Sequence, residues 1–332
     1  MAAATMYVTP AGALGKTGAD WANAMGEAEF EADLEAGAEA GDIYYVQAGT
    51  YTLDSSYDSS ARDATAVAPI SIIGVKAATT AEPPAYSDWG VQSGTDMPTF
   101  ACGAWTISFG DYYHVYNCKF TGTATAIVLF GVANIIVNCI GNNTNGTSRT
   151  AFYGGTYDQF IFCTCTGAAS AGIRLSNGRC LFSYFYSLGT GAYSDSGNET
   201  FMFNVFDTCS VAGISTATRV NNFYSNNTFN DCAIGVSITT GWGIGINNIF
   251  EGCSGHGVLA TTAFNCGYWH KNHGDDARNT DMWDGINEAI VAYMDNACST
   301  GDPLFDAANF NNSLAAGSPC INNALTPVLG CP

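Results

Sequence analysis

The sequence has few basic residues. Its 332 residues include 10 Lys and Arg against 29 Asp and Glu, which gives a formal net charge of −19. Proteins that bind nucleic acids contact the phosphates through clustered Lys and Arg, so the sequence predicts no nucleic-acid partner. Only 12% of the residues are charged and 47% are hydrophobic, a composition that excludes a disordered chain.

Export and membrane signals are also missing. The first residues, MAAATMYVTPAG, lack the basic region and the apolar region of a secretory signal. We therefore expect a protein that is not secreted by the general route, or else a mature form. The most apolar stretch, 126–137, is interrupted by Gly131 and Asn134 and is too short to cross a bilayer. The sequence predicts no membrane segment.

Metal-type cysteine pairs are absent although the chain has 13 Cys. The closest pair, Cys163 and Cys165, is separated by one residue, which in a strand puts both on one face without making a zinc site. Most of the Cys lie inside apolar runs, which favours buried, reduced thiols and maturation in a reducing cytoplasm. The sequence predicts no cofactor.

A repeat of 20 to 25 residues occupies the middle of the chain. Its first column is a small residue followed by an apolar one, and the apolar members are Ile127, Phe152, Ile173, Tyr193, Ile214, Val236 and Val258. Its second column consists of Phe120, Ile140, Cys165, Phe185, Phe206, Phe229 and Phe250. A unit this small cannot bury its own apolar face, so successive units must stack. We expect both columns to point inward.

A third column lies two residues before the second. It consists of Cys118, Asn138, Cys163, Ser183, Asn204, Asn227 and Asn248. In stacked coils, about 4.8 Å apart, an internal Asn can bond the equivalent backbone of the next coil. The motif Asn-x-Phe-x-x-Cys also occurs three times, ending at Cys209, Cys232 and Cys253, and we expect these to stack as free thiols.

These columns predict an all-β chain, a single right-handed parallel β-helix (solenoid) with an N-terminal capping helix. A leucine-rich repeat has a similar period but needs regularly spaced Leu, which is scarce here. The predicted helix covers 27–40, where Phe30, Leu34 and Ala38 form one apolar stripe. The predicted segments are a first strand and capping helix over 1–42, the β-helix over 43–270, and a C-terminal loop and closing segment over 271–332.

The chain resembles the pectate-lyase-like right-handed β-helix superfamily, and within it phage structural and tailspike-type members. The resemblance rests on MYVTPAG, DWANAM, GDIYYVQAGTYTL and PISIIGV near the N-terminus and on DPLFDAANFNNSLAAGSPCIN near the C-terminus. It implies the fold. It says little about function, because the superfamily mixes polysaccharide lyases, hydrolases, adhesins and phage structural proteins.

Charged residues recur just before the second column, at Asp158, Arg179, Glu199 and Arg219. One interpretation is a surface ladder of alternating charges, in which each pair contributes only about 0–1 kcal/mol. The other takes Asp158 and Glu199, two coils and about 9.6 Å apart, as the acid and base of an inverting glycosidase. Arg179 between them argues against catalysis, because a cation lowers the pKa of a carboxyl group and a general acid needs it raised.

Three further sets of residues are weak candidates for a site. Gly255-His256-Gly257 resembles the Gly-His-Gly of polygalacturonases, although the other motifs of that family are missing, so His256 is a weak catalytic candidate. After Trp269, where the repeat is expected to break, a divalent metal could be held by His270, His273, Asp275 and Asp276. Trp269 and Trp283 could stack on a sugar or contact a partner. The alternative for this segment is a solvated loop.

Two classes of function stay open. We favour a non-enzymatic phage virion structural protein, a capsid decoration or head fibre protein that assembles in the host cytoplasm. Its expected partners are other virion proteins, in particular the major capsid protein, copies of itself, for instance in a trimer, and a host surface glycan. The alternative is a phage tailspike or secreted polysaccharide lyase or glycoside hydrolase of β-helix fold, which would be extracellular. Tailspikes of this fold usually add adaptor and trimerisation domains, for which 332 residues leave no room.

Overall fold

The computed structural model describes residues 3–62, 64–92, 95–145, 150–168, 170–216 and 220–260, and five short strands between 267 and 300. From residue 260 onward only the backbone is described. The fold is an all-β parallel β-solenoid with three parallel sheets and little helix, as predicted. The right-handed sense stays a prediction. The chain divides into two compact units, Met1–Gly178 and Arg179–Pro332, and each is described by itself.

The first unit contains sixteen strands, numbered in chain order. Its first sheet consists of β1 (Thr5–Val8), β2 (Ile43–Gln47), β5 (Ile70–Val75), β8 (Tyr113–Tyr116), β11 (Ile135–Val137) and β14 (Gln159–Ile161). The second consists of β4 (Tyr57–Ser59), β7 (Ile107–Phe109), β10 (Ala126–Phe130), β13 (Thr150–Thr156) and β16 (Ala171–Ser176). The third consists of β3 (Gly49–Thr52), β6 (Pro98–Gly103), β9 (Lys119–Gly122), β12 (Ile140–Asn143) and β15 (Thr164–Thr166).

The second unit repeats this arrangement. Its first sheet consists of β17 (Arg179–Leu181), β20 (Thr200–Met202), β23 (Val220–Ser225), β26 (Gly241–Ile246), β29 (Gly267–His270) and β32 (Tyr293–Met294). The second consists of β19 (Thr190–Ser196), β22 (Ala212–Thr216), β25 (Ile234–Ile238), β28 (His256–Ala260) and β31 (Asp281–Gly285). The third consists of β18 (Tyr184–Tyr186), β21 (Val205–Asp207), β24 (Thr228–Asn230), β27 (Ile249–Glu251), β30 (His273–Gly274) and β33 (Ser299–Thr300). Paired strands therefore continue beyond Trp269.

The N-terminal helix α1 spans Glu27–Ala36 and buries Phe30 and Leu34 as predicted. It ends four residues before the predicted bound of 40, at the C-cap Gly37, so Ala38 lies beyond it. The Phe30 ring lies 5.3 Å from that of Tyr44, so the apolar stripe of the helix packs on interior residues of the coils. Two 3-10 helices, Trp21–Asn23 and Tyr86–Asp88, are the other helical segments of the described residues. Within that part of the chain, no helix has the length and apolar composition needed to cross a bilayer.

The two apolar columns point inward in the second unit, where the coils are of similar length. In the second unit Phe185, Phe206, Phe229 and Phe250 pair in register, and successive rings are 4.7, 5.0 and 4.9 Å apart. The first column contains Ile214, Val236 and Val258 as predicted. Its preceding member is Ala192, which pairs with Ile214, so the assignment of Tyr193 is wrong by one residue.

In the first unit two members are also displaced by one residue. Val128, and not Ile127, pairs with Phe152. Gly141, and not Ile140, pairs with Phe120 and Cys165. A Cβ atom on Gly141 would lie 2.7 Å from the Phe152 ring, because that ring fills the space that a second-column side chain would occupy.

The third column is an asparagine ladder in the second unit. The amide oxygen of Asn227 accepts from both nitrogens of Asn204 at 3.0 Å, and that of Asn248 accepts in the same way from Asn227. The Asn227 side chain also donates to the Phe201 carbonyl at 2.9 Å. The predicted bonding of each Asn to the next coil is confirmed. In the first unit the third column contains Cys139 instead of Asn138. The backbone carbonyls of Cys118 and Cys139 are equivalent, because each accepts a hydrogen bond from a backbone N–H of the next coil.

Cys209, Cys232 and Cys253 are buried free thiols. Burial raises the pKa of the Cys253 thiol, and contact with Cys232 together with burial raises that of Cys209. We therefore predict that iodoacetamide leaves all three unmodified in native protein and labels all three after unfolding without a reductant, because only the exposed thiolate reacts. Peptide mass spectrometry measures the labelling. A disulfide between any two of them in native material would contradict the prediction.

Candidate functional site

Asp158 is buried in the first unit. Its carboxylate accepts from the backbone N–H and the side chain of Asn134 at 2.8 and 3.2 Å, and from the Gly155 N–H at 2.6 Å. Asn134 in turn accepts from the Tyr113 N–H at 2.6 Å. Desolvation by burial raises the pKa of Asp158 to about 7. These contacts give Asp158 a role in connecting coils.

Glu199 has similar surroundings in the second unit. It is buried, accepts from the Ser194 hydroxyl at 2.7 Å, and donates its own backbone N–H to Asn222 at 3.1 Å. The Asn222 amide bonds Ser194 and the Tyr224 hydroxyl at 2.9 and 3.1 Å. Glu199 is thus one member of an internal polar network.

The predicted ladder of alternating charges is wrong for the described members. Asp158 and Glu199 are buried, whereas Arg179 is exposed at the start of β17. The reason is the register, because Arg179 pairs with Thr200 and not with Glu199. Adjacent strand residues point to opposite faces, so a displacement by one residue separates the charges. Arg219 lies outside the described residues.

The remaining candidates fall in or near the last strands. His256 is half-buried at the start of β28 and pairs with Ile234. Trp269 and His270 end β29, His273 starts β30, and Trp283 lies in β31. Their side chains, and both Asp275 and Asp276, lie outside the described residues, so the proposed metal and stacking roles stay predictions. Among the described residues no group of three or more His, Cys, Asp or Glu could hold a metal ion.

A pocket that the sequence did not indicate lies in the first unit. It has a volume of about 520 Å³, within the usual range for small-molecule sites. Residues 76–92, which we name the strap, follow β5 and form one wall. The lining residues are Lys76, Tyr86, Ser87, Trp89, Gly90, Val91, Tyr116, Asn117, Val137, Asn138 and Phe162. We name this cavity the strap pocket.

The floor of the pocket is part of an outward row of apolar side chains on the first sheet. Strand pairing aligns this row in the order Tyr7, Tyr45, Ile73, Tyr116, Val137 and Ile161. Trp21 covers its beginning, with its ring 4.8 Å from that of Tyr7. Trp89 of the strap lies 5.4 Å from Tyr116. The pocket lies at Tyr116 and Val137, where the row continues past the strap.

The rim is formed by corner residues between the first and third sheets. Asn117, Asn138 and Phe162 occupy consecutive corners with φ of 56°, 55° and 55°. This left-handed conformation is one that Asn adopts more readily than most residues. Phe162 adopts it too and leaves 53% of its surface exposed. Phe182 and Phe203 are 46% and 44% exposed at the same corner of the second unit, so it is the place of Phe162 beside the pocket, and not its exposure, that makes it available to a ligand.

Hydrogen bonds fix the strap on the sheet. The Trp21 indole donates to the Ala81 carbonyl at 3.0 Å, and the Trp21 N–H donates to Glu82 at 2.7 Å. At the other end the Gln92 side chain donates to the Phe162 carbonyl at 2.6 Å and accepts from the Thr164 hydroxyl at 2.8 Å. Lys76 donates to the Ser87 carbonyl at 2.7 Å. The pocket is therefore formed before any ligand binds.

This pocket was not predicted from the sequence, because the candidate sites were chosen mainly from charged residues. One signal was available. Positions 116, 137 and 161 point outward from exposed strands yet hold Tyr, Val and Ile, where a solvated face would hold polar residues.

Comparison with known proteins supports the fold. No protein-family model matches the sequence, and no curated protein matches it. Among solved structures, an alginate lyase of family PL6 is 14% identical over 82% of this chain, with a TM-score of 0.59. A rhamnogalacturonan lyase is 12% identical over 90% of this chain and 87% of its own, with a TM-score of 0.50. The chain spans 38% of the length of the alginate lyase. At this identity the likeness shows the parallel β-helix fold alone.

Proposed function

We propose that this chain is a non-enzymatic glycan-binding protein of a virion and that its strap pocket holds the saccharide. The observation that carries this proposal is the pocket itself, which combines aromatic walls with amide groups at its rim. A saccharide needs both, because its C–H faces pack on aromatic rings while its hydroxyls need hydrogen-bond partners.

Trp89 is the expected centre of binding. It is half-buried, contacts Tyr86 and Tyr116 at ring distances of 5.1 and 5.4 Å, and lines the pocket. Buried aromatic residues at the centre of a contact surface carry most of the binding energy. The strap that holds Trp89 is already fixed, so binding loses little to ordering of the loop.

We predict that Trp89→Ala weakens saccharide binding at least tenfold, which corresponds to about 1.4 kcal/mol. An array of bacterial surface polysaccharides and of plant and algal polysaccharides identifies a ligand, and calorimetry measures its affinity. Trp105→Ala is the matched control, since Trp105 is 43% exposed in the same unit and does not line the pocket. Equal losses in the two variants would contradict the proposal, and so would binding to no member of the array.

The virion setting is supported by the sequence and by the state of the thiols. The nine Cys described as free thiols are all buried, as expected for a protein that matures in a reducing cytoplasm and is not stabilised by disulfides. We propose that copies of the chain associate with each other and with the major capsid protein. Mass spectrometry of purified particles would detect it at many copies per particle. Its absence from particles and presence in culture medium would favour a secreted protein.

One observation favours cleavage of the bound glycan as a second candidate function. The Tyr116 hydroxyl lies 3.5 Å from His114 Nδ1, and a hydroxyl beside an imidazole can transfer a proton. Burial lowers the pKa of His114, so the ring is neutral and able to accept a proton at neutral pH. New reducing ends or unsaturated uronates, released by the chain and lost in His114→Ala, would favour this alternative.

A further inference from the structure

The rim of the strap pocket contains an unusual pair of amides. Asn138 Nδ2 donates to Asn117 Oδ1 at 2.6 Å and lies 3.5 Å from the Gly90 carbonyl. Asn117 is only 5% exposed, yet it lines the pocket. Within the described residues, Asn117 Nδ2 and Asn138 Oδ1 have no protein partner. The pair therefore keeps one donor and one acceptor for a ligand in the pocket that both residues line.

This pairing does not depend on which atom of each amide is oxygen. If both amides were turned over, Asn117 would donate to Asn138, and the remaining atoms would again be one donor and one acceptor. The ligand groups that fit must therefore accept one hydrogen bond and donate another. Two adjacent hydroxyls do this, because each hydroxyl both donates and accepts.

A carboxylate does not fit the same pair. An ionised carboxylate only accepts hydrogen bonds, so one of its oxygens would face the free amide oxygen. That arrangement repels the ligand and leaves a largely buried acceptor unpaired, which is costly. Lys76 is the one cation among the lining residues, and its ammonium group gives one of its three N–H donors to the Ser87 carbonyl. A carboxylate would therefore bind at Lys76 and not at the amide pair.

The backbone does not require Asn at these corners. Phe162 takes the same left-handed conformation at the next corner, with φ of 55°. In the second unit Phe182 and Phe203 do so at φ of 52° and 57°. Asn nevertheless recurs at this corner at Asn226 and Asn247 in the second unit, so it is the bond between the two amides, and not the choice of Asn, that points to a ligand.

We propose that the strap pocket binds a pyranose through two adjacent hydroxyls held by Asn117 and Asn138, and that a carboxylate on the sugar is not needed for binding. This inference rests on the proposed function, since it specifies the saccharide of the same pocket. The net charge of −19 adds a preference for neutral chains at low salt, because it repels polyanionic chains.

The test compares polyuronates with their own neutral forms. Alginate and polygalacturonate are carboxyl-reduced, and the parent and reduced polymers are measured beside neutral polysaccharides at 0.05 and 0.5 M NaCl. We expect the carboxyl-reduced polymer to keep the binding of its parent at 0.5 M NaCl, because reduction leaves the adjacent hydroxyls in place, and to bind more tightly than its parent at 0.05 M, where the net charge repels polyanions. Loss of binding on carboxyl reduction at both salt concentrations would overturn the inference and leave the proposed function standing. Binding to no polymer would contradict the proposed function itself.

Variants of the amide pair provide a second measurement. We expect Asn117→Gly and Asn138→Gly to weaken binding of the neutral ligand at least tenfold, because glycine keeps the left-handed backbone and removes the amide. Asn226→Gly is the matched control, since Asn226 has φ of 54° at a corner of the second unit. It should bind like the unchanged protein. Unchanged binding in both pocket variants would overturn the proposed role of the pair.

Discussion

Replacing Asn227 with Ala should lower the free energy of unfolding by about 4 kcal/mol. The substitution removes the acceptor for both nitrogens of Asn204 and the donor to the Phe201 carbonyl. The buried Asn204 N–H and Phe201 carbonyl then lose this partner, while Asn204 Nδ2 keeps its bond to the Cys180 carbonyl, and each group left unsatisfied costs about 1–3 kcal/mol. Urea denaturation followed by circular dichroism measures the change.

The adjacent residue provides the control for this experiment. Asn226 is half-buried and lies outside the ladder, and its side chain contacts only the neighbouring Ser225 hydroxyl at 2.7 Å. Asn226→Gly should change the free energy of unfolding by less than about 1 kcal/mol, since glycine accepts a φ of 54° without strain. If both variants lost the same stability, the ladder would not be a main source of stability in the second unit.

The repeat predicted most of the interior of the second unit. Phe206, Phe229 and Phe250 were found from sequence because the coils there differ little in length, so equivalent residues recur at nearly constant spacing. The asparagine column was predicted for the same reason. A buried amide must recur in every coil if the hydrogen-bonding groups of each amide are to be paired with those of the next. Tyr193 was misassigned because its neighbour Ala192 is also apolar, and spacing alone cannot choose between adjacent apolar residues.

The first unit shows where spacing fails. At Gly141 the interior space is filled from another strand, by Phe152, and no pattern within one coil shows such a substitution. The apolar residues at 116, 137 and 161 indicated a covered surface but not the strap pocket itself, because residues 76–92 meet Tyr116, Asn138 and Phe162 only through the fold. Charged residues did not indicate a functional site either. Asp158 and Glu199 drew attention as carboxylates, and both are buried parts of the coil framework.

Asp158 should make the stability of the protein depend on pH. Its pKa is raised to about 7 in the folded state, chiefly by burial, from an ordinary value of 3.8. The folded state therefore holds the proton more tightly than the unfolded state does. The stability that this group contributes is fully present below about pH 4 and is lost as the pH rises through 7. A shift of about 3 pKa units corresponds to about 4 kcal/mol.

The pH dependence is best measured as a difference between variants, because the other acidic residues titrate as well. Asp158→Asn cannot ionise, and its amide cannot accept from the Gly155 N–H and from Asn134 at once, so we expect it to be less stable than the unchanged protein at pH 5. At pH 8 the two should be closer by about 3 kcal/mol, since only the unchanged protein then carries a buried charge and about 2 of the 3 pH units of this effect lie above pH 5. Asp54→Asn, at an exposed position, should leave the difference between pH 5 and pH 8 unchanged. Parallel pH profiles for Asp158→Asn and the unchanged protein would mean that Asp158 keeps an ordinary pKa, and that its three N–H donors outweigh its burial.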